Sequence, residues 1–289
     1  VPGTLSVEEA FAHCEARARA HYENFPVGLF VPKARRPYVH ALYAFARAAD
    51  DFADEPMYEG HRVEKLDEWE RRLHAAYAGE AEDPIFVALR ETVRAVGIPR
   101  ELLLDLLSAF RQDTQKSRYE TWEELLDYCR RSADPVGRLV LLVFEQGDPG
   151  LLPLSDALCT GLQLANHWQD LAIDLRRDRI YAPRELLERF AVKPWDLSAG
   201  TLTDGFRALM AELVARTRPF FERSRSLGDR VGPELRFELR LTWLGGSSVL
   251  DRIERVGGDV FRRRPHHSLL DKAKLAWRAW RWRPAPAAA

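Results

Sequence analysis

The chain has 289 residues, 46% of them hydrophobic and 30% charged, with a formal net charge of −1 at pH 7. That is enough apolar material for one large or two ordinary cores, and the charge balance excludes the basic footprint of a nucleic-acid binder. Cys14, Cys129 and Cys159 lack C-x-x-C spacing, which argues against a zinc site or a disulfide framework and fits a reducing cytosol.

Taken in chain order, the periodicity predicts helix nearly throughout. A first helix runs from Ser6 to about Tyr22, with Thr4 or Ser6 as its cap. Phe25 to Pro32 breaks the pattern with two prolines and Gly28. Pro37 opens a second helix at a favoured first-turn position, and Pro56 ends it just after Glu55. Val63 to Tyr77 is amphipathic, with Leu66, Trp69, Leu73 and Ala76 on one stripe. Pro84 to Val96 is closed by Gly97 and Pro99, and Leu102 to Phe110 is apolar at helical spacing. Trp122 to about Gln146 reads as one long helix, capped by Thr121 and kinked at Pro135-Val136-Gly137. Leu154 to Leu175, a short Pro183 to Phe190, Leu202 to Leu227, Pro233 to Arg255 and a basic, tryptophan-rich Leu269 to Trp282 complete the set. Strand signals are weak, because no Asn-Gly or Asp-Gly turn lies between alternating runs. The expected architecture is a single all-α domain over 1–289, with no linker and with 284–289 as a frayed tail.

Two of these helices carry the chemistry. Tyr43, Arg47, Asp50 and Asp54 step by 4, 3 and 4, while Gln163, Asn166, Asp170 and Asp174 step by 3, 4 and 4. Each set is therefore a polar stripe on one helical face. Asp50/Asp54 and Asp170/Asp174 are both i, i+4 carboxylate pairs, and like charges one turn apart destabilise a helix unless something neutralises them. A lone Asp-x-x-x-Asp is commonly a solvated face. Here the pairs lie among Leu42, Phe45, Ala46 and Ala49 and among Leu162, Leu164, Ala165, Trp168, Leu171 and Ile173. Charges in such surroundings need a paired or metal-bound environment. Mg²⁺, which favours one or two carboxylates together with phosphate oxygens, is the natural neutraliser. The pattern predicts two helices facing each other across a cavity, with Mg²⁺ and a diphosphate between them.

These residues carry a family resemblance. Tyr43, Arg47, Asp50 and Asp54 match the pattern Tyr-x3-Arg-x2-Asp-x3-Asp of the squalene and phytoene synthase family. Gln163, Asn166, Asp170, Asp174, Arg179 and Tyr181 match its second pattern. Arg118-Tyr119-x-Thr121, Tyr128-Cys129 and Pro135-Val136-Gly137 resemble its central helix, and the similarity runs from about His21 to Lys272. The segments beginning at His21, Tyr128, Asn166 and Asp259 are similar to the branch that forms hydroxysqualene for hopanoids. Two departures point the same way. Gln169 stands where most of the family has Arg, and Asp134-Pro135 replaces a small-residue stretch. A condensing enzyme holds two diphosphates and this branch one, so a missing cation suits a smaller anionic load.

The resemblance implies a terpenoid synthase helical bundle with a central cavity. It further implies conversion of presqualene diphosphate and water to hydroxysqualene and diphosphate, by a carbon–oxygen lyase. Its metal ligands would be Asp50, Asp54, Asn166, Asp170 and Asp174, holding about two or three Mg²⁺ ions, with no NADPH. Tyr43 joins them as a catalytic candidate. Arg47, Gln163, Arg179, Tyr181, Arg263 and Lys272, with Arg262 and Arg264 beside them, are the candidates for binding diphosphate. Phe25, Val27, Leu29, Val136, Leu139, Val140, Leu162 and Ala165 are candidate apolar walls. His21, Tyr22, Asn24 and His167 are candidates for holding the quenching water; His21, Asn24 and Phe25 are also taken as substrate-binding. Arg47 has an alternative as an intrahelical partner of Asp50 or Asp51. Asp51 and Glu55 lie off the stripe and are expected to face solvent or to back the site, and Tyr128 and Cys129 are expected to pack.

No run reaches the roughly 18 apolar residues that span a bilayer, and no basic segment followed by an apolar one opens the chain. The expectation is a cytoplasmic protein, with Lys272 to Arg283 either contacting the inner membrane face or packing its tryptophans on the body. Two other readings stand beside the lyase. One is a squalene, dehydrosqualene or phytoene synthase that condenses two prenyl diphosphates. The other is a non-catalytic relative serving in assembly or at a membrane surface, against which the intact aspartates argue.

Overall fold

A computed structural model describes residues 5–20 and 31–284. The chain forms two compact units, Val1–Gln115 with Arg138–Gly147 and Lys116–Gly137 with Asp148–Ala289.

The first unit contains α1 (Val7–Ala20), α2 (Arg36–Asp54), α3 (Arg62–Ala78), α4 (Pro84–Val96) and α5 (Arg100–Asp113), with a 3₁₀ turn at Pro56–Tyr58. Pro37 lies in the first turn of α2, where its missing N–H costs nothing. Glu55 leaves the helix in extended backbone just before Pro56. α2 buries a row of small residues, Ala41, Ala44, Ala48, Ala49 and Ala53, with Phe45 among them, so its backbone approaches its neighbours closely. The stripe expected on α3 is its buried set, Leu66, Trp69, Leu73 and Ala76. Trp69 lies 4.5 Å from Phe86 and 6.0 Å from Phe45 between ring centres, and its Nε1 donates to the Phe45 carbonyl at 3.3 Å. Burying each such ring contributes roughly 2–3 kcal/mol. This aromatic centre fixes the face of α2 that points inward, and therefore the face left for its polar stripe.

The second unit contains α6 (Trp122–Ser132), the start of α7 (Asp134–Val143), α8 (Leu152–Arg176), α9 (Arg184–Arg189), α10 (Pro194–Ser198), α11 (Asp204–Ser224), α12 (Leu227–Arg230), α13 (Pro233–Arg255) and α14 (Leu269–Trp280). α8 packs against α11 and α13. Trp168 is fully buried, and its Nε1 donates to Thr217 Oγ1 at 2.8 Å. A Cβ on Gly246 would collide with Leu162 and the Phe221 ring, so this glycine sets the close approach of α13 to α8.

Several boundaries differ from expectation. The long helix expected over 122–146 is two helices, broken at Ala133 and finished at Val143. Pro135 has no N–H to donate to the Arg131 carbonyl, and Val136 bonds back to Ala133 at 3.0 Å instead. The segment expected over 202–227 ends at Ser224, and α12 follows as a separate turn. α10 was not anticipated, since five residues carry no periodic signal. Among the described residues the single extended pairing is an isolated parallel bridge between Arg118 and Ile180.

Candidate active site

On α2 the stripe runs along the side opposite the alanine row: Tyr43 is exposed, and Arg47, Asp50 and Asp54 are partly exposed. Arg47 spans its own helix. Its guanidinium is 3.3 Å from Asp50, 2.7 Å from Asp51 and 3.9 Å from Glu55. Burial opposes the Arg47 charge, but Asp50 and Asp51 outweigh it and hold the group protonated beyond its ordinary range. Burial also raises the Tyr43 phenol above its usual value, opposed by Arg47 and helped by Asp50 and Asp51. Asp51 does not face solvent. Its side chain is 16% exposed and takes Arg17 of α1 at 2.7 Å as well as Arg47. It backs the stripe by fixing the arginine that touches Asp50.

On α8 Asn166 is exposed, and Gln163, Asp170 and Asp174 are partly exposed, while Leu164, Ala165, His167, Trp168 and Leu171 are buried. The polar and apolar faces are thus cleanly divided. Asp170 is held by Arg264, with Nε at 2.7 Å from one oxygen and Nη2 at 3.2 Å from the other. Next to it, Gln169 donates its amide to the Pro265 carbonyl. The residue that replaces the usual arginine therefore ties α8 to the segment that delivers Arg264. Arg262, Arg263 and Lys272 are exposed; among the described residues, Arg264 is the member of the arginine run that pairs with Asp170.

After α8 the backbone turns sharply. The amides of Arg177 and Arg179 both bond the Asp174 carbonyl at 2.9 Å, and Asp178 adopts φ +55°. Arg118 binds the Asp178 carbonyl and carboxylate, and Ile180 donates to the Ser117 carbonyl at 2.9 Å. This return lays the Tyr181 ring on His167 at 3.6 Å, with an interplanar angle of 16°. Tyr119 and Tyr128 complete the aromatic group at 5.7 and 6.1 Å from Tyr181.

His167 is 4% exposed, and burial pushes its imidazole down to about 3, so it is a packed neutral ring. Leu139 and Ala165 are buried, with Leu139 in the aromatic core of the first unit. Val136 is exposed, and Val140 and Leu162 are partly buried. Tyr128 and Cys129 pack as expected. Asp134 is buried and accepts from Thr160 Oγ1 at 2.8 Å, so the Asp134-Pro135 departure anchors the start of α7 to α8. All three thiols are free. His21, Tyr22, Asn24, Phe25, Val27 and Leu29 lie outside the described residues.

Among the described residues no three His, Cys, Asp or Glu side chains gather closely enough to enclose a metal. Each helix instead presents a pair of hard, partly exposed carboxylates. That donor set suits Mg²⁺, which takes few protein ligands and completes its shell with water and phosphate oxygens.

An all-α fold with a carboxylate pair on each of two helices defines an enzyme of the terpenoid synthase type. The sequence pattern of the squalene/phytoene synthases matches residues 18–271, and the chain belongs to that family of head-to-head prenyl-diphosphate enzymes. The structure of squalene synthase HpnC from Alicyclobacillus acidocaldarius superposes with a TM-score of 0.83 at 46% identity, over 88% of this chain and 97% of that one. The hydroxysqualene synthase of Rhodopseudomonas palustris is 38% identical, over 81% of this chain and 79% of its own. The 15-cis-phytoene synthase of Synechocystis sp. is 33% identical, over 90% and 81%.

Proposed function

We propose that this enzyme converts presqualene diphosphate and water to hydroxysqualene and diphosphate. The observation that carries the choice within the family is Gln169. It is neutral, and its amide is engaged by the Pro265 carbonyl, so it adds no cation beside Asp170. A site loaded with one diphosphate needs fewer cations than a site loaded with two. The similarity to curated hydroxysqualene synthases supports the same choice.

In this proposal each carboxylate pair, Asp50 with Asp54 and Asp170 with Asp174 and Asn166, would hold Mg²⁺, which would supply charge neutralisation and Lewis acidity toward the diphosphate leaving group. Arg179 and Arg264 bind diphosphate oxygens, and Tyr43 and Tyr181 orient them through their hydroxyls. Arg47, fixed by Asp51, holds Asp50 in place. The carbon–oxygen bond breaks with its electron pair leaving on diphosphate. Water then adds its oxygen to the rearranged carbon skeleton and gives up one proton, which balances the products as alcohol and hydrogen diphosphate. Apolar surfaces such as Leu162 limit the water that reaches the cation.

The test is turnover of presqualene diphosphate in ¹⁸O-labelled water with Mg²⁺. One labelled oxygen in a C30 alcohol is the expected product. An unlabelled hydrocarbon would contradict the proposal.

A further inference from the structure

The C-terminal helix has two apolar sides, and the structure uses one of them. Leu275 and Ala279 are buried on α14, and with Leu244 of α13 they form a small core. Trp282 completes that attachment. The Arg225 guanidinium lies 4.1 Å from its ring centre, Arg240 lies 5.7 Å away, and Arg225 also donates to the Arg283 carbonyl at 2.9 Å. At the other end, Ser268 caps the helix, and Asp271 is paired with Arg252 at 2.8 Å. The helix is thus fastened at both ends by its inner side.

The outer side is different. Leu270, Ala273, Trp277 and Trp280 step by 3, 4 and 3, so they share one face. Leu270, Trp277 and Trp280 are 74%, 59% and 75% exposed, and neighbouring Leu269 is 84% exposed. Lys274, Arg278 and Arg281 border this face and are also exposed, with Arg281 lying 5.4 Å from the Trp277 ring centre. The helix's one acid, Asp271, is neutralised by Arg252. Among the described residues no helix is long and apolar enough to cross a membrane.

We propose that this outer face of α14 docks on an anionic phospholipid surface. Indoles prefer the headgroup level, where an apolar body meets a polar edge. A cationic border beside an apolar stripe complements anionic headgroups and sinks shallowly into the interface. A second protein chain would bury the indoles but would need acids to meet the arginine border. A lipid surface supplies both chemistries at once.

The experiment is sedimentation of the full chain with vesicles of phosphatidylcholine alone, or with about 30 mol% phosphatidylglycerol, at low and high salt. Wild type is compared with Trp277→Ser/Trp280→Ser and with Lys274→Glu/Arg278→Glu/Arg281→Glu, each checked for helicity. Wild type is expected to pellet with the anionic vesicles, with a blue shift in tryptophan emission, and to be released by salt. The charge variant should partition at least about 100-fold more weakly, at roughly fivefold per cation, and the tryptophan variant at least about tenfold more weakly. Equal partition of the three proteins, or failure of the wild type to pellet with anionic vesicles, would overturn the proposal. Self-association abolished by the same variants, without vesicle binding, would assign the face to a second copy and overturn it likewise.

Discussion

Arg264 grips Asp170 with two nitrogens, at 2.7 and 3.2 Å, while Gln169 on the preceding position bonds the backbone of the residue after Arg264. The first aspartate of the second motif thus has a cation in place before any substrate arrives. The Arg264 side chain is 54% exposed, so the pair adds little to stability, within about 1 kcal/mol. Arg264→Ala is expected to shift Tm by less than about 4 °C and to lower kcat/KM by roughly tenfold to a hundredfold, because a cation is lost from the proposed diphosphate site. Thermal melts and steady-state kinetics check the two halves separately.

The four motif carboxylates are expected to matter for turnover and not for folding. Asp50→Asn, Asp54→Asn, Asp170→Asn and Asp174→Asn should each lower kcat by at least about a hundredfold, the scale set by removing one preorganised electrostatic group. Their circular dichroism should match the wild type. If all four retained full turnover, the metal assignment would be wrong.

His167 gives an acid-side signature. Burial holds its imidazole at about 3, below the ordinary 6.5, so the folded state takes up a proton less readily than the unfolded one. The stability this represents is intact above pH 6.5 and is lost as pH falls toward 3. Between pH 6.5 and 4.5 the loss is about 2–3 kcal/mol. In urea melts across this range, His167→Phe, which keeps a ring against Tyr181, should lose less stability than wild type. Parallel losses would show that the imidazole does not titrate as its burial implies.

Glu238 on α13 gives the opposite sign. Burial raises its carboxyl from 4.5 to about 7, so the folded state holds the proton more tightly. The associated stability is full below pH 4.5 and is lost as pH rises through 7. Glu238→Gln should therefore be more stable than wild type by up to about 3 kcal/mol at pH 8 and nearly equal to it at pH 4. An equal effect at both pH values would point to packing instead of charge.

Periodicity and proline grammar made much of the helix set legible. Leu66, Trp69, Leu73 and Ala76 were readable as an inward stripe because burial at helical spacing leaves a local trace. The same holds for the split between Asn166 or Asp170 and Leu164 or Trp168. What escaped depends on distant partners. Nothing near Gln169 signals Pro265, and nothing near Asp51 signals Arg17. His167 follows the polar Asn166, yet one helical step turns it inward beneath Tyr181. The break at Ala133 was misplaced by two residues because a proline acts on the carbonyl one turn before it.

The most direct test of the central claim is a choice of substrate. Purified protein with Mg²⁺ is given either presqualene diphosphate or farnesyl diphosphate, and products are read by mass spectrometry. The expected result is hydroxysqualene from presqualene diphosphate and no condensation of farnesyl diphosphate. Presqualene diphosphate, squalene or a phytoene-like hydrocarbon formed from a linear diphosphate would contradict it. That result would make Gln169 a feature of a condensing enzyme.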